Sequence, residues 1–121
     1  MKILVVDDSA AMRMMVVRTL RQAGFGGNDV TQAEDGAVAL EMIRASTPDL
    51  VLADWNMPNM TGIELLKVLR EEDNNSVDFG FITTESTTQI RKVAKEAGAQ
   101  FLIAKPFTVE SFEKVLATVL S

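Results

Sequence analysis

Five short strand-like runs recur along the chain, and each is followed by a segment whose apolar residues have helical spacing. The runs cover residues 2–6, 30–33, 50–53, 79–83 and 101–104. Most are continuously apolar, which is typical of strands buried on both faces of a parallel sheet, whereas the second (VTQA) is weaker. This alternation predicts an α/β fold of five βα units, (βα)5, with helices on both faces of a doubly wound, five-stranded parallel sheet.

The first helical segment illustrates the pattern. Its apolar residues recur on one face, which we expect to pack on the sheet: Met12, Met15, Val16 and Leu20. Ser9 or Asp8 can cap the amino terminus of this helix, and Asp35 can cap the second helix in the same way. The chain has the length of one domain, which we assign to residues 1–121.

Polar side chains stand at the end of four of the five predicted strands. Asp7 and Asp8 follow the first strand, Asp54 follows the third, Thr83 ends the fourth and Lys105 follows the fifth. Because the carboxyl ends of parallel strands meet at one edge of the sheet, we expect these side chains to lie close together. Each alone has an ordinary explanation as a helix cap, a turn residue or a surface charge, but their joint occurrence favours a functional site.

Three carboxylates in one place predict a cation site. Two carboxylates about 5 Å apart repel by about 3 kcal/mol at an effective dielectric of about 20, so the cluster favours proton uptake or a divalent cation. The chain has no cysteine and no histidine, which excludes disulfides, thiolate nucleophiles, imidazole bases and nitrogen or sulfur metal ligands. An oxygen-only site suits Mg²⁺, with the backbone carbonyl of Asn56 as a further ligand.

Asp54 beside such a cation can act as a nucleophile toward a phosphoryl group and form an aspartyl phosphate. The cation and Lys105 would neutralise the equatorial oxygens of the transition state, and the Thr83 hydroxyl could donate to one oxygen of the product. Without histidine, the chain has no nucleophile–base pair of the serine–histidine kind.

The charge balance limits the partners. The 12 Lys and Arg residues against 17 Asp and Glu give a formal net charge of −5, and no basic run is present, so we expect no binding to nucleic acid or anionic membranes. No apolar run approaches the ~18 residues of a membrane span, and the first strand pattern begins without a signal-peptide pattern before it. We therefore expect a cytoplasmic protein, and we predict a monomer.

Four motifs carry a resemblance to a known family: VVDDS at residues 5–9, DWNMPNMTG at residues 54–62, Thr83, and KPF at residues 105–107. In this order and spacing they resemble the receiver domain of two-component response regulators, over essentially the whole chain. The second motif is most similar to the single-domain, CheY-like regulators of chemotaxis. The resemblance implies the flavodoxin-like strand order 2-1-3-4-5.

The resemblance also implies a role for each site residue. Asp54 accepts a phosphoryl group from a phosphohistidine of a sensor histidine kinase. Asp7, Asp8 and Asp54 hold Mg²⁺ together with the carbonyl of Asn56. Lys105, placed by a cis peptide bond to the proline that follows it, pairs with a phosphoryl oxygen.

A switch is implied as well. Thr83 turns toward the phosphate, and the helix–strand–helix surface of residues 89–120 presents the change to a partner. Asn56 and Glu85 resemble the pair found in rapidly self-dephosphorylating regulators, which predicts a short-lived phosphoryl group. Three residues depart from the family pattern, where an aromatic, an acidic and a small residue respectively are common: Leu102, Thr61 and Thr84.

The leading interpretation is therefore a signalling regulator rather than an enzyme, a phospho-acceptor switch in chemotaxis that acts on a downstream effector such as the flagellar motor switch. Four alternatives stay open: a phosphate shuttle or sink in a phosphorelay, a Mg²⁺-dependent aspartate-nucleophile phosphohydrolase, an interaction module that is never phosphorylated, and a flavodoxin-like cofactor binder. Asn56 stands where such hydrolases need an acid–base carboxylate, which weighs against the second. No Gly-rich phosphate loop follows the first strand, which weighs against the last.

Overall fold

The computed structural model describes residues 1–27 and 29–120 and contains a parallel sheet of five strands in the order β2-β1-β3-β4-β5. The strands are β1 (Lys2–Val6), β2 (Asp29–Ala33), β3 (Leu50–Ala53), β4 (Asp78–Thr83) and β5 (Phe101–Ala104). All neighbouring strands pair in parallel, so the predicted fold class and strand order are confirmed. Two strands, β2 and β4, begin one residue earlier than their sequence patterns indicate.

The helices are α1 (Ala10–Leu20), α2 (Gly36–Ala45), α3 (Gly62–Lys67), α4 (Thr88–Ala97) and α5 (Val109–Leu120). Both α1 and α3 continue into a wider π-helical turn, at Arg21–Phe25 and Val68–Glu72. A side-chain oxygen caps the amino terminus of each of the first four helices: Ser9, Asp35, Thr61 and Thr87. None of the helices in the described part of the chain is long and apolar enough to cross a membrane.

The sheet separates two hydrophobic layers, because neighbouring residues of a strand point to opposite faces. In β1, Leu4 and Val6 join the layer under α2, α3 and α4, whereas Ile3 and Val5 join the layer under α1 and α5. Each of these four side chains is at most 2% exposed, and burying one contributes about 1.5–3 kcal/mol. Helices therefore cover both faces, and the loops that follow the strands gather at the carboxyl edge of the sheet.

The predicted inner face of α1 is partly wrong. Val16 and Leu20 are buried as expected, but Met15 is 51% exposed, and Thr19 completes the buried row instead. Successive residues of an α-helix lie about 100° apart, so Met15 points to one side of the row that contains Val16. The buried Thr19 hydroxyl donates to the Met15 carbonyl at 2.8 Å, so its hydrogen-bonding group is satisfied within the helix. A polar residue can therefore take the buried position that was expected for Met15.

Thr61, one of the departures from the family pattern, begins α3. Its hydroxyl accepts the Glu64 N–H, and the Glu64 carboxylate accepts in return from the Thr61 N–H at 3.0 Å and from its hydroxyl at 2.9 Å. This reciprocal capping box satisfies donors that the first turn of a helix otherwise leaves unpaired. The same hydrogen bonds, first that from the Thr61 backbone, hold the Glu64 pKa below its ordinary value.

Candidate functional site

The three predicted aspartates lie together at the carboxyl edge of β1 and β3. The Asp7 N–H donates to the Ala33 carbonyl at 3.1 Å, and the Asp54 N–H donates to the Val6 carbonyl at 2.9 Å, so backbone pairing continues one residue beyond β1 and β3. Asp7, Asp8 and Asp54 each offer a carboxylate oxygen within 4.8 Å of the other two. Sheet geometry therefore brings together residues that are 46 or 47 positions apart in the sequence.

Lys105 joins this cluster from the end of β5. Its Nζ lies 3.0 Å from Asp7 Oδ2 and 3.4 Å from Asp54 Oδ2, and its side chain is only 12% exposed. The Lys105 N–H donates to the Thr83 carbonyl at 2.9 Å, and the peptide bond to Pro106 is cis, as expected. Three carboxylates and one ammonium give the cluster a formal net charge of −2, which a divalent cation would neutralise.

The backbone around Asp54 orients its carboxylate. Asp54 Oδ1 accepts the Trp55 N–H at 2.7 Å, which leaves Oδ2 facing Lys105.

The loop after β3 returns close to Asp54 at Gly62. The Gly62 N–H donates to the Trp55 carbonyl, and a Cβ at Gly62 would lie 2.1 Å from the Asp54 carbonyl oxygen. The Trp55 ring packs on Phe81 at a centroid distance of 4.7 Å. Glycine at position 62 is therefore a packing requirement of the site.

The donor set fits a small, hard cation. All candidate ligands are oxygens, and they differ in exposure: Asp7 is buried, Asp54 is half-buried and Asp8 is exposed. Asp7 Oδ1 already accepts the Ser9 N–H at 2.9 Å, so Asp7 is held rigidly while Asp8 stays open to solvent. A few carboxylates with room for water is the ligand set that Mg²⁺ prefers. Zinc and other borderline metals favour nitrogen and sulfur ligands that this chain lacks.

Thr83, at the end of β4, is 1% exposed. Its hydroxyl accepts the Glu85 N–H at 3.2 Å, and the Glu85 carboxylate accepts Asn56 Nδ2, also at 3.2 Å. Asn56 and Glu85, which the sequence relates only by their offsets from Asp54 and Thr83, therefore touch across the site. These contacts link the loop after β4 to the loop after β3.

Arg13 and Asp35 shape the site in ways that sequence patterns did not indicate. Arg13 of α1 donates from Nη1 to the Asp7 carbonyl and from Nε to Gln32 Oε1 at 3.0 Å. Asp35 caps α2 as predicted, and its second oxygen also accepts Asn59 Nδ2 at 2.8 Å. The amino terminus of α2 thereby holds the loop that follows β3. A cap motif is local, whereas its bridge to a distant loop has no sequence signal.

Replacing Asp35 with asparagine is expected to lower the free energy of unfolding by about 1–2 kcal/mol at neutral pH. The asparagine oxygen can still accept the Val38 N–H, but its NH₂ group cannot accept from Asn59. Hydrogen bonds from Val38 and then Asn59 hold the pKa of Asp35 below its ordinary value of 3.8. Because the folded pKa is lowered, this stabilisation is complete above the ordinary pKa and is lost as the pH falls through the lowered value.

Urea unfolding of wild type and Asp35→Asn checks this expectation. The difference in the free energy of unfolding between wild type and Asp35→Asn should be largest at neutral pH and should shrink below about pH 4. Glu113→Gln, at an exposed carboxylate on α5, serves as the control for a general loss of acidic charge. A difference that stays constant through the acid range would contradict the assignment.

The fold and this geometry define a class of protein: a doubly wound α/β domain with an acidic, lysine-paired site at the carboxyl edge of its sheet. The chain belongs to the response regulator receiver domains, whose family model matches residues 3–117. It is 41% identical to chemotaxis protein CheY-3 of Vibrio cholerae serotype O1 over 117 residues, a match that covers 96% of this chain and 88% of that protein. It is 36% identical over 124 residues to chemotaxis protein CheY of Pseudomonas aeruginosa, covering 98% of each. The solved structure of Vibrio cholerae CheY4 superposes with a TM-score of 0.84 at 36% identity, covering 98% of this chain and 97% of that one.

Proposed function

We propose that residues 1–121 form one receiver domain that takes a phosphoryl group from a sensor histidine kinase onto Asp54 and thereby changes its affinity for a downstream protein. The observation that carries the proposal is the Lys105 ammonium between the carboxylates of Asp7 and Asp54, in a cluster of net charge −2. This arrangement combines a nucleophile, a cation site and a phosphate-pairing ammonium. The relatives named as chemotaxis proteins support a role in chemotaxis. The downstream partner that we propose is the flagellar motor switch.

The residues present suit one phosphoryl transfer step. Asp54 Oδ2 attacks phosphorus, the phosphorus–nitrogen bond to the kinase histidine breaks, and the electron pair stays on the imidazole, which takes up a proton. The Trp55 N–H fixes the other carboxylate oxygen, and Lys105 moves from the carboxylate to a phosphoryl oxygen. Asp7, Asp8, Asp54 and the Asn56 carbonyl would hold Mg²⁺, which when bound would supply further positive charge at the phosphoryl oxygens.

The switch depends on Thr83. Its buried hydroxyl accepts from Glu85, and a phosphoryl group on Asp54 offers that hydroxyl a charged acceptor. A charge-assisted hydrogen bond is roughly twice as strong as a neutral one, so phosphorylation favours the conformation in which Thr83 donates to phosphate. The loop between β4 and α4 follows Thr83 directly and moves with it. The surface of residues 89–120 then presents the change to a partner.

We expect the phosphoryl group to be short-lived. Asn56 and Glu85 are in contact at 3.2 Å beside Asp54, where polar side chains can orient an attacking water toward phosphorus. Water attack releases inorganic phosphate and restores the carboxylate. Decay of the phosphorylated protein, followed by intact mass after rapid removal of the donor, should be complete within minutes. A half-life of hours in native buffer would contradict this expectation.

The proposed function is tested with the single tryptophan. Trp55 adjoins the acceptor, so its fluorescence should change on Mg²⁺ titration and again on addition of acetyl phosphate. Intact mass should show one added phosphoryl group, only in the presence of Mg²⁺. Absence of both the fluorescence response and the mass increase would leave an interaction module that is never phosphorylated.

Two further outcomes distinguish the alternatives. Turnover of a generic phosphomonoester, monitored as released phosphate, would favour the phosphohydrolase. Transfer of the label from the phosphorylated chain to a histidine of another protein would favour a shuttle or sink in a phosphorelay. A binding partner that discriminates the phosphorylated form supports the switch.

A further inference from the structure

Arg91 joins the loop between β4 and α4 to the edge strand β5. The residue lies in the first turns of α4, and its guanidinium donates from Nε to the Ser86 carbonyl at 3.3 Å and from Nη1 to the Leu102 carbonyl at 3.1 Å. Ser86 belongs to the loop, and Leu102 is the second residue of β5. One planar side chain therefore bridges two backbone segments that are 16 residues apart in the sequence.

The loop end of this bridge is three residues from Thr83. The Thr83 hydroxyl accepts the Glu85 N–H, and the Ser86 carbonyl that Arg91 holds follows one residue later along the backbone. A rotation of Thr83 that releases Glu85 can therefore displace the peptide group that Arg91 holds. Arg91 itself touches neither a site carboxylate nor Lys105, so it acts on the conformational change and leaves phosphoryl chemistry to other residues.

The strand end of the bridge is the position where the family commonly has a rotating aromatic residue. Leu102 packs in the layer under α2, α3 and α4. Its side chain has no polar group that could form a hydrogen bond to the loop between β4 and α4. Phe101 cannot replace it, because its ring lies across β4 in the opposite layer. A Cβ at Gly80 would approach that ring to 2.1 Å, so the phenylalanine is closely fitted where it stands.

Arg91 also lines the surface on both sides of Leu102. One groove of 430 Å³ adjoins Ala94 and Phe101, and a second of 340 Å³ adjoins Phe107 and Val115. Both grooves include the Arg91 side chain, so its displacement changes the shape and charge of both. These grooves lie within the surface of residues 89–120 that the proposed function uses for output.

We propose that Arg91 is the positioning residue that transmits the state of Thr83 to β5, in place of the aromatic residue common in the family. The proposal rests on the proposed function for its physiological input, although the coupling itself does not require phosphorylation. A guanidinium suits this task because its rigid planar fork directs Nε and Nη1 at the two carbonyls from fixed, separate positions, whereas a lysine ammonium is a single point with rotating donors. The coupling needs only the Arg91 side chain and the two peptide groups whose carbonyls it holds, those of Ser86 and Leu102.

Amide chemical shifts measure the two ends of the bridge separately. The Thr87 N–H belongs to the peptide group of the Ser86 carbonyl, and the Ile103 N–H belongs to that of the Leu102 carbonyl. In wild type held with excess acetyl phosphate and Mg²⁺, both amides should shift. In Arg91→Ala and Arg91→Lys the Thr87 shift should persist and the Ile103 shift should be lost. Lys92→Ala removes the same charge from the same helix and should retain both shifts.

A second arm is independent of phosphorylation. Thr83→Ala removes the oxygen that accepts the Glu85 N–H. In the absence of a phosphoryl donor, this substitution should shift the Ile103 amide resonance more in otherwise wild-type protein than in an Arg91→Ala background, because any direct effect across the β4–β5 pairing is the same in both. A non-zero double-mutant interaction at Ile103 supports the coupling, and full additivity overturns it. If the interaction is present while the wild type gains no phosphoryl group by mass, the proposed function fails and the coupling stands. Thermal unfolding of each variant identifies any loss of fold.

Discussion

Replacing Asp54 with asparagine is expected to abolish phosphoryl transfer to the chain while leaving the fold intact. The amide oxygen has no negative charge and is a poor nucleophile, so the variant lacks the proposed acceptor. The variant nonetheless keeps the local structure, because the asparagine oxygen can still accept the Trp55 N–H that Asp54 Oδ1 accepts at 2.7 Å. Loss of function should therefore not be attributable to unfolding.

Intact mass after incubation with acetyl phosphate and Mg²⁺ measures this result. Wild type should gain one phosphoryl group and Asp54→Asn none. Asp8→Asn is the matched control, since it removes the same charge from the exposed member of the cluster and keeps the acceptor. It should require more Mg²⁺ and still reach the wild-type mass at saturating metal. A phosphoryl group on Asp54→Asn would mean that another residue is the acceptor.

Replacing Lys105 with methionine is expected to slow phosphorylation by a factor on the order of 10²–10³. The ammonium lies 3.0 Å from Asp7 Oδ2 and 3.4 Å from Asp54 Oδ2, and in the transition state it would pair with a phosphoryl oxygen. Methionine preserves the unbranched side chain and removes the charge. The comparison therefore isolates the electrostatic contribution of Lys105 to the transfer rate.

Lys105→Met should strengthen Mg²⁺ binding and lower the free energy of unfolding of the metal-free protein. Without Lys105 the three carboxylates carry a net charge of −3, so Mg²⁺ should bind more tightly. In the absence of Mg²⁺, two poorly solvated carboxylates lose their shared partner, and we expect a loss of about 1–3 kcal/mol in the free energy of unfolding. Mg²⁺ should restore part of that loss.

Two measurements check the Lys105 prediction: the initial rate of phosphoryl addition at saturating Mg²⁺, and urea unfolding with and without the metal. Lys95→Met removes a lysine that is exposed on α4 and should match wild type in both. A wild-type phosphorylation rate in Lys105→Met would contradict the assigned role. Weaker Mg²⁺ binding by that variant would contradict the charge argument.

The elements of the fold could be predicted closely, because their signals are local. Continuous apolar runs marked β1, β3 and β5 with their observed bounds, and β2 and β4 differed by one residue at their starts. Capping residues such as Ser9 and Asp35 were likewise visible in the sequence. The error at Met15 arose where periodicity was ambiguous, since several residues on that helix are apolar and the sheet selected one row.

The site could be predicted in composition but not in its contacts. A parallel sheet brings the carboxyl ends of its strands to one edge, so Asp7, Asp54, Thr83 and Lys105 could be grouped before any distance was known. The bridge from Asp35 to Asn59 and that from Arg91 to Leu102 had no comparable signal. Each joins a side chain to a loop or an edge strand whose position depends on the packing of other helices.

The sequence by itself determined the element order, the fold class and the chemical character of the site, because these follow from short-range patterns and from which residue types are present or absent. Only the tertiary structure decided which groups touch: Lys105 with two carboxylates, Glu85 with Asn56 and Thr83, and Arg91 with two carbonyls. Hydrogen bonds and ion pairs require atoms to approach within about 3–4 Å. Distances of that size between remote segments are set by the packing of the whole domain.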